Sequence, residues 1–224
     1  MGAFPFEAVI FDMDGVLVDT ELYYAGQLES FGRSLGLELP HEVTHGQVGN
    51  SHQDFCRLMV ELHEAAGCGR LSGEEAVARY DAWAMSRAAD YAALLNPGAA
   101  ETLDGLLALG VRVALASSSP LANIELVLDA CGIADRFEFI VSGEQFEQSK
   151  PAPDIYLHAL GLLGLPAKSC CCVEDSVPGI AAGRAAGLFV VAKREERFGF
   201  SQDAADAIID ELPELLELER VSDQ

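Results

Sequence analysis

AVIFDMDG, from Ala8 to Gly15, is the stretch that decides the fold. Its four apolar residues, with no polar alternation, read as a short strand buried on both faces of a parallel sheet. Two carboxylates, Asp12 and Asp14, and the glycine at 15 follow at once. In open α/β sheets ligands bind beyond the carboxyl ends of the strands, so both acids stand where chemistry is done. Alternate residues of a strand share a face, but here the chain is leaving the strand and both groups can converge on one point. Alone, Asp-x-Asp-Gly is equally an ordinary strand-ending turn, so the remainder of the chain must decide.

Four further runs of the same kind follow: VRVALA from Val111 to Ala116, FIV from Phe139 to Val141, CCCV from Cys170 to Val173 and FVV from Phe189 to Val191. Helical patterns alternate with them. One helix begins near Asn96 and Pro97 and stops at Gly110, and another begins after Ser119 and Pro120 and stops at Gly132. A third starts near Pro153 and Asp154, and a fourth follows Ser176 and ends before Gly187. The expected fold class is α/β, a Rossmann-like three-layer sandwich around a parallel sheet.

Between the first two strands lie about 100 residues, far more than a crossover needs, so a second unit is inserted there. Leu22, Leu28, Phe31 and Leu35 mark one of its helices. Phe55, Leu58, Met59 and Leu62 mark a second, which starts at Ser51. A third opens with the capping-box pattern Ser72 to Glu75 and runs to about Asp90. The expected division is a helical cap at residues 20–88 and a core made of 1–19 and 89–224. The Leu/Glu-rich tail after Pro213 reads as a surface helix.

The other strand ends carry chemistry too. The second ends in Ser117, Ser118 and Ser119 before Pro120 opens a helix; hydroxyls and free N–H groups at a helix start can bind an anion, or simply cap the helix. The third leads to Ser149, Lys150 and Pro151, where the lysine by itself is an ordinary surface charge. The fourth ends in Glu174, Asp175 and Ser176, a second acidic pair or else a helix cap. Four such ends on one sheet edge bring together two acidic pairs, hydroxyl donors and one lysine. Hard carboxylate oxygens with an open face suit Mg²⁺, which keeps several waters and accepts a substrate phosphate. Phosphoryl transfer is the expected chemistry.

Composition narrows the partners. Of 224 residues, 14 are Lys or Arg and 36 are Asp or Glu, a formal net charge of −22 that repels nucleic-acid backbones and anionic membrane faces. A small phosphorylated molecule is still compatible, because a bound divalent cation reverses the field locally. The expected partner is such a substrate, with no nucleic acid and no membrane, on a monomer or weak homodimer. Six cysteines, none in a C-x-x-C pair, fit a reducing cytoplasm, and the N-terminal MGAFPFEAVIF shows no targeting pattern.

FDMDGVLVDTE from Phe11, ALASSSP from Ala114, SKPAPDIY from Ser149 and VEDSVPGI from Val173 resemble, in order, the four motifs of the haloacid dehalogenase superfamily. The resemblance runs from the first strand to the fifth and is strongest to the branch with a helical cap that holds sugar-phosphate phosphatases and β-phosphoglucomutase. It implies Asp12 as a nucleophile that becomes an aspartyl-phosphate and Asp14 as acid, then base. It implies Ser117, with Ser118 beside it, as the phosphoryl-oxygen site, and Lys150 as the neutralising cation. Mg²⁺ would be held by Asp12, Asp175 and the Asp14 carbonyl, with Glu174 ligating directly or through water. The cap loop Gly49, Asn50, Ser51, His52 is similar in position to the mutase's specificity loop.

There the chain departs from the mutase pattern. His52 stands in place of an arginine for the second phosphate, Pro120 in place of a phosphate-contacting lysine, and Tyr24 in place of a hinge-associated histidine. A mutase must hold a bisphosphate in two orientations, and two lost cationic grips oppose that. A phosphatase is therefore expected, with the mutase as the alternative. Haloalkanoate dehalogenation needs neither Asp14 nor a metal. A phospho-accepting receiver needs half this length and no insert, and a silent binding protein would not need every motif position intact. His41, His45, His63 and His158 show no metal-ligand spacing, and Trp83 reads as cap core.

Overall fold

The structure, a computed structural model, describes residues 4–47, 52–87 and 89–219. In chain order it runs β1 (Ala8–Phe11), α1 (Glu21–Ser34), α2 (His41–His45), α3 (His52–Ala65), α4 (Gly73–Ala84), α5 (Tyr91–Leu94) and α6 (Ala99–Ala108). Then follow β2 (Arg112–Ser117), α7 (Leu121–Cys131), β3 (Ile140–Ser142), α8 (Asp154–Leu163), β4 (Cys170–Glu174), α9 (Val177–Ala185), β5 (Phe189–Lys193) and β6 (Ala207–Ile209). All pairings are parallel, in the order β3-β2-β1-β4-β5-β6. Strand order reverses at β1, whose Phe11 is level with both Leu115 and Val173. The three strand ends that carry Asp12, Ser117 and Glu174 are therefore neighbours at the switch point, the crevice in which such sheets bind ligands.

Burial on both faces explains the unbroken apolar strands. Val9 and Phe11 face a core shared with α6 and α7, through Leu103, Leu106, Ile124 and Leu128. Ala8 and Ile10 face the opposite one, shared with α8 and α9 through Tyr156, Ala159 and Ile180. This is the three-layer sandwich expected from the sequence.

A third cluster draws its buried residues from α1, α3 and α4 alone: Leu28, Phe31, Leu58, Met59, Leu62, Ala76 and Tyr80. The capping box at Ser72 and Glu75 is present. Phe31 is its centre, with the Tyr80 ring at 5.2 Å and Trp83 at 5.3 Å. The buried His63 closes the cluster and spends its Nδ1 on the Met59 carbonyl at 2.8 Å. Because Trp83 is the single tryptophan, its fluorescence reports this unit. Phe31→Ala should cost about 3–5 kcal/mol there, seen as a lower urea midpoint of Trp83 emission; an unchanged midpoint would mean that the cluster does not hold the helices together.

Five elements differ from expectation. α4 ends at Ala84 and gives way to a 3-10 turn at Met85–Arg87, short of Asp90. The short α2 and α5 were not expected, being too brief to show a period. β6 was not expected because its apolar run, Ala207–Ile209, has no helical pattern after it and so lies outside the strand–helix alternation. The tail is no surface helix: Leu212–Glu217 is a 3-10 segment whose Leu212 and Leu215 are fully buried in the α6/α7 core. Leucines that looked like one face of an exposed helix are anchors. All six cysteines are free, and among the described residues no helix is long and apolar enough to cross a membrane.

Candidate active site

The chain turns sharply after β1. Gly15 takes φ +76°, its N–H donates to the Val18 carbonyl at 2.8 Å, and a Cβ there would lie 1.9 Å from Asp175 Oδ2. Glycine is required twice over, by conformation and by the close approach of β4's loop. Asn96 fixes this turn from outside by donating its Nδ2 to the Val16 carbonyl at 2.7 Å. Gly179 in α9 has the same kind of role, since a Cβ there would lie 1.9 Å from Glu174 Oε2.

Lys150, apparently a surface lysine in the sequence, is only 8% exposed. Its Nζ donates to Asp12 Oδ1 at 2.5 Å, Glu174 Oε1 at 2.6 Å and the Ala116 carbonyl at 3.1 Å. One ammonium thus joins three strand ends. Tyr156, from the first turn of α8, donates its hydroxyl to the same Glu174 oxygen at 2.5 Å. Asp14 is held on both oxygens, by the Thr20 hydroxyl at 2.5 Å and the Ser119 hydroxyl at 2.8 Å. Gln202 in the loop after β5 donates to the Asp175 carbonyl at 2.5 Å.

Asp175 is the outlier. Its Oδ2 is buried with no hydrogen-bond partner among the described residues. Carboxylate oxygens of Asp12, Glu174 and Asp175 lie within 4.8 Å of one another. A single lysine cannot balance three buried acids, and an orphaned carboxylate oxygen is costly unless something binds it. An all-oxygen, strongly anionic donor set of this kind fits a hard divalent cation such as Mg²⁺. The Asp14 side chain is not in the group.

The electrostatics follow from burial. Burial pushes the Asp12 carboxyl up to about 8, against the pull of Lys150 and with a further push from Glu174 and Asp14. Asp175 is raised well above the usual carboxylate range by burial and then by Glu21 and Asp12. Asp14 is raised by burial, which outweighs the hydrogen bonds from Thr20 and Ser119. For Lys150 burial works downward, but Asp12 and Glu174 more than offset it and keep the ammonium protonated. Raised carboxyls bind protons more tightly folded than unfolded, so their ionisation costs stability and that cost grows as pH rises from about 4 toward the folded values. Asp175→Asn should therefore raise the stability of the metal-free protein by roughly 0.5–2 kcal/mol while abolishing any gain in melting temperature on adding Mg²⁺. A metal-free variant less stable than the parent would contradict this electrostatic account.

Ser117, Ser118 and Ser119 line a cavity of about 420 Å³ together with Asp12, Asp14, Lys150 and Asp175. Glu174 lies behind these, fully buried. The Ser117 hydroxyl accepts the Ser119 N–H at 3.1 Å. One helix-start donor offered by the sequence is already taken, because the Leu121 N–H donates to Glu144 Oε2 at 2.9 Å. The far wall comes from the helical insert: Tyr24, Leu28, Gln47, His52, Phe55, Tyr80 and Asp81. His52 thus faces the cavity, whereas Gly49, Asn50 and Ser51 lie outside the described residues. Thr20, Tyr156 and Gln202 carry no signal of their own in the sequence, and Ser119 stands there only as a helix-start hydroxyl, not as a partner of Asp14. Thr20 and Ser119 lay inside quoted motifs, and Tyr156 follows Lys150 by six residues, but only the fold shows which acid each one serves.

The sequence profile of haloacid dehalogenase-like hydrolases matches residues 6–187. Protein CbbY of Rhodobacter capsulatus is 34% identical over 191 residues, covering 83% of this chain and 84% of that protein. Hexitol phosphatase B of Escherichia coli K12 is 34% identical over 187 residues, covering 81% of this chain and 80% of that protein. The crystal structure of CbbY from Rhodobacter sphaeroides in complex with phosphate superposes with a TM-score of 0.74 at 23% identity, over 95% of this chain and all of that one.

Proposed function

Because the chain belongs to the haloacid dehalogenase-like hydrolases, we propose that it is a Mg²⁺-dependent phosphatase of small sugar or polyol phosphates that works through an aspartyl-phosphate. The observation that carries the reading is the Lys150 bridge between Asp12 and Glu174, with the doubly held Asp14 next to it and the orphaned Asp175 oxygen across from it.

Asp12 attacks phosphorus through a carboxylate oxygen as the bond from phosphorus to the sugar oxygen breaks. Asp14, whose carboxyl burial raises above the usual carboxylate range, gives a proton to the departing oxygen and then takes one from the water that cleaves the aspartyl-phosphate, releasing inorganic phosphate. Ser117, with Ser118 beside it, and Lys150 meet the charge on the transferring group. Thr20 and Ser119 orient Asp14. Asp12, Asp175 and the Asp14 carbonyl, with Glu174 behind them, would hold Mg²⁺, which when bound supplies electrostatic stabilisation of the phosphoryl oxygens. The helical insert, placed at residues 20–88, closes the site from above and excludes water.

Hydrolysis is favoured over a mutase because, of the described cavity-lining residues, only Lys150 and His52 can carry positive charge, and Lys150 is committed. Initial rates of phosphate release from a panel of sugar and hexitol monophosphates, with Mg²⁺ and after chelation, test the proposal. Release that stops with chelator and returns with Mg²⁺ is expected; metal-independent release, or none from any ester, contradicts it.

A further inference from the structure

The wall of the cavity opposite Asp12 has a character of its own. Gln47 lines it, and its Oε1 is buried with no hydrogen-bond partner among the described residues. Asp81 lines it from α4. The Phe55 and Tyr80 rings stand edge to face at 5.1 Å and, with Leu28, add apolar surface to the same cavity.

We propose that this wall selects a phosphomonoester whose remainder is an uncharged polyol or sugar, with Gln47 accepting from a substrate hydroxyl and Asp81 rejecting substrates that carry a second anionic group. The inference rests on the phosphatase reading of the site. An unpaired buried carbonyl oxygen is satisfied by a substrate hydroxyl, which donates, and not by a phosphate or carboxylate oxygen, which also accepts. Asp81 accepts from a hydroxyl in the same way and repels an anion by charge. The aromatic and aliphatic surface suits the C–H face of a sugar or polyol chain.

Among the described lining residues, little on this wall compensates a second anion. Lys150 has its three bonds to Asp12, Glu174 and the Ala116 carbonyl. His52, which has the Cys56 sulfur 3.5 Å from its Nε2, is the other described lining residue able to carry positive charge. A bisphosphate would set its far phosphate against Asp81 and an acceptor oxygen, with a single histidine to meet it.

Steady-state kinetics on four esters decide the matter: p-nitrophenyl phosphate, a hexitol 6-phosphate, a hexose 1,6-bisphosphate and phosphoglycolate, with the parent protein, Gln47→Leu and Asp81→Lys. The parent should prefer the hexitol ester to the bisphosphate and phosphoglycolate by about tenfold or more in kcat/KM. Gln47→Leu should raise KM for the hexitol ester about tenfold with little change in kcat, and Asp81→Lys should raise kcat/KM for the bisphosphate about tenfold. The inference is overturned if the bisphosphate or phosphoglycolate is used as well as the hexitol ester. It is overturned equally if Gln47→Leu lowers kcat alike on every ester, as a merely structural residue would. Failure of the parent to hydrolyse even p-nitrophenyl phosphate with Mg²⁺ would instead sink the phosphatase reading, and the inference with it.

Discussion

Asp12→Asn should cut turnover by at least about 10⁴-fold, because an amide oxygen cannot form the acyl-phosphate bond that the mechanism requires. The variant should nevertheless fold. The native Asp12 carboxyl is pushed up to about 8, burial being the leading cause, so its ionised form is held at a cost. An amide of the same shape removes that cost, and although it weakens the charge-assisted bond from Lys150, Glu174 still pairs with the ammonium at 2.6 Å. Circular dichroism and urea midpoints near those of the parent, with phosphate release lost and no acid-stable label at residue 12 after quenching with labelled substrate, are the expected results. Turnover within tenfold of the parent would remove Asp12 from the mechanism.

Lys150→Met should damage both stability and rate. Its ammonium is the cation that pairs with both Asp12 and Glu174, and Glu174 is fully buried. Removing one partner from a buried ion pair costs about 3–5 kcal/mol, since the remaining charges stay uncompensated. Loss of one pre-placed positive group at a phosphoryl centre costs about 10²–10³ in kcat. The stability deficit should shrink as pH is lowered from 8 toward 5, because the acids left behind then protonate in the folded state, where their affinity for protons is already raised. Equilibrium unfolding at several pH values measures this directly. A deficit that is constant across that range, or a variant as stable as its parent at pH 8, would show that Lys150 does not neutralise the cluster.

The sheet was legible because buried parallel strands leave unbroken apolar runs, and five of the six strands have one that alternates with a helical pattern. β6 is the run Ala207–Ile209 between Asp206 and Asp210, at the sheet edge with Ile208 exposed, and no helical pattern follows to place it in the alternation. The tail misled for a related reason. Leu212, Leu215 and Leu216 have the spacing of an amphipathic helix, and nothing local says that Leu212 and Leu215 plug a core that includes α6 and α7, far earlier in the chain. In the candidate site, order and spacing singled out the strand-end residues that the fold brings together: Asp12, Asp14, Ser117, Lys150, Glu174 and Asp175. The burial of Lys150 was not legible, since a lysine between a serine and a proline looks like any surface charge until the strand ends close around it. Tyr156, Gln202 and the pairing of Asp14 with Thr20 and Ser119 depend on side-chain directions fixed only by tertiary packing. Gln47 likewise became visible only as an unpaired oxygen in a cavity wall.

Phosphorus-31 NMR of the purified protein with Mg²⁺ and mixed sugar monophosphates, including β-glucose 1-phosphate with a trace of its 1,6-bisphosphate, tests the central claim most directly. Inorganic phosphate as the only new resonance, absent with Asp12→Asn, is the predicted result. Conversion of β-glucose 1-phosphate to glucose 6-phosphate without net release of phosphate would contradict it and make the protein a mutase.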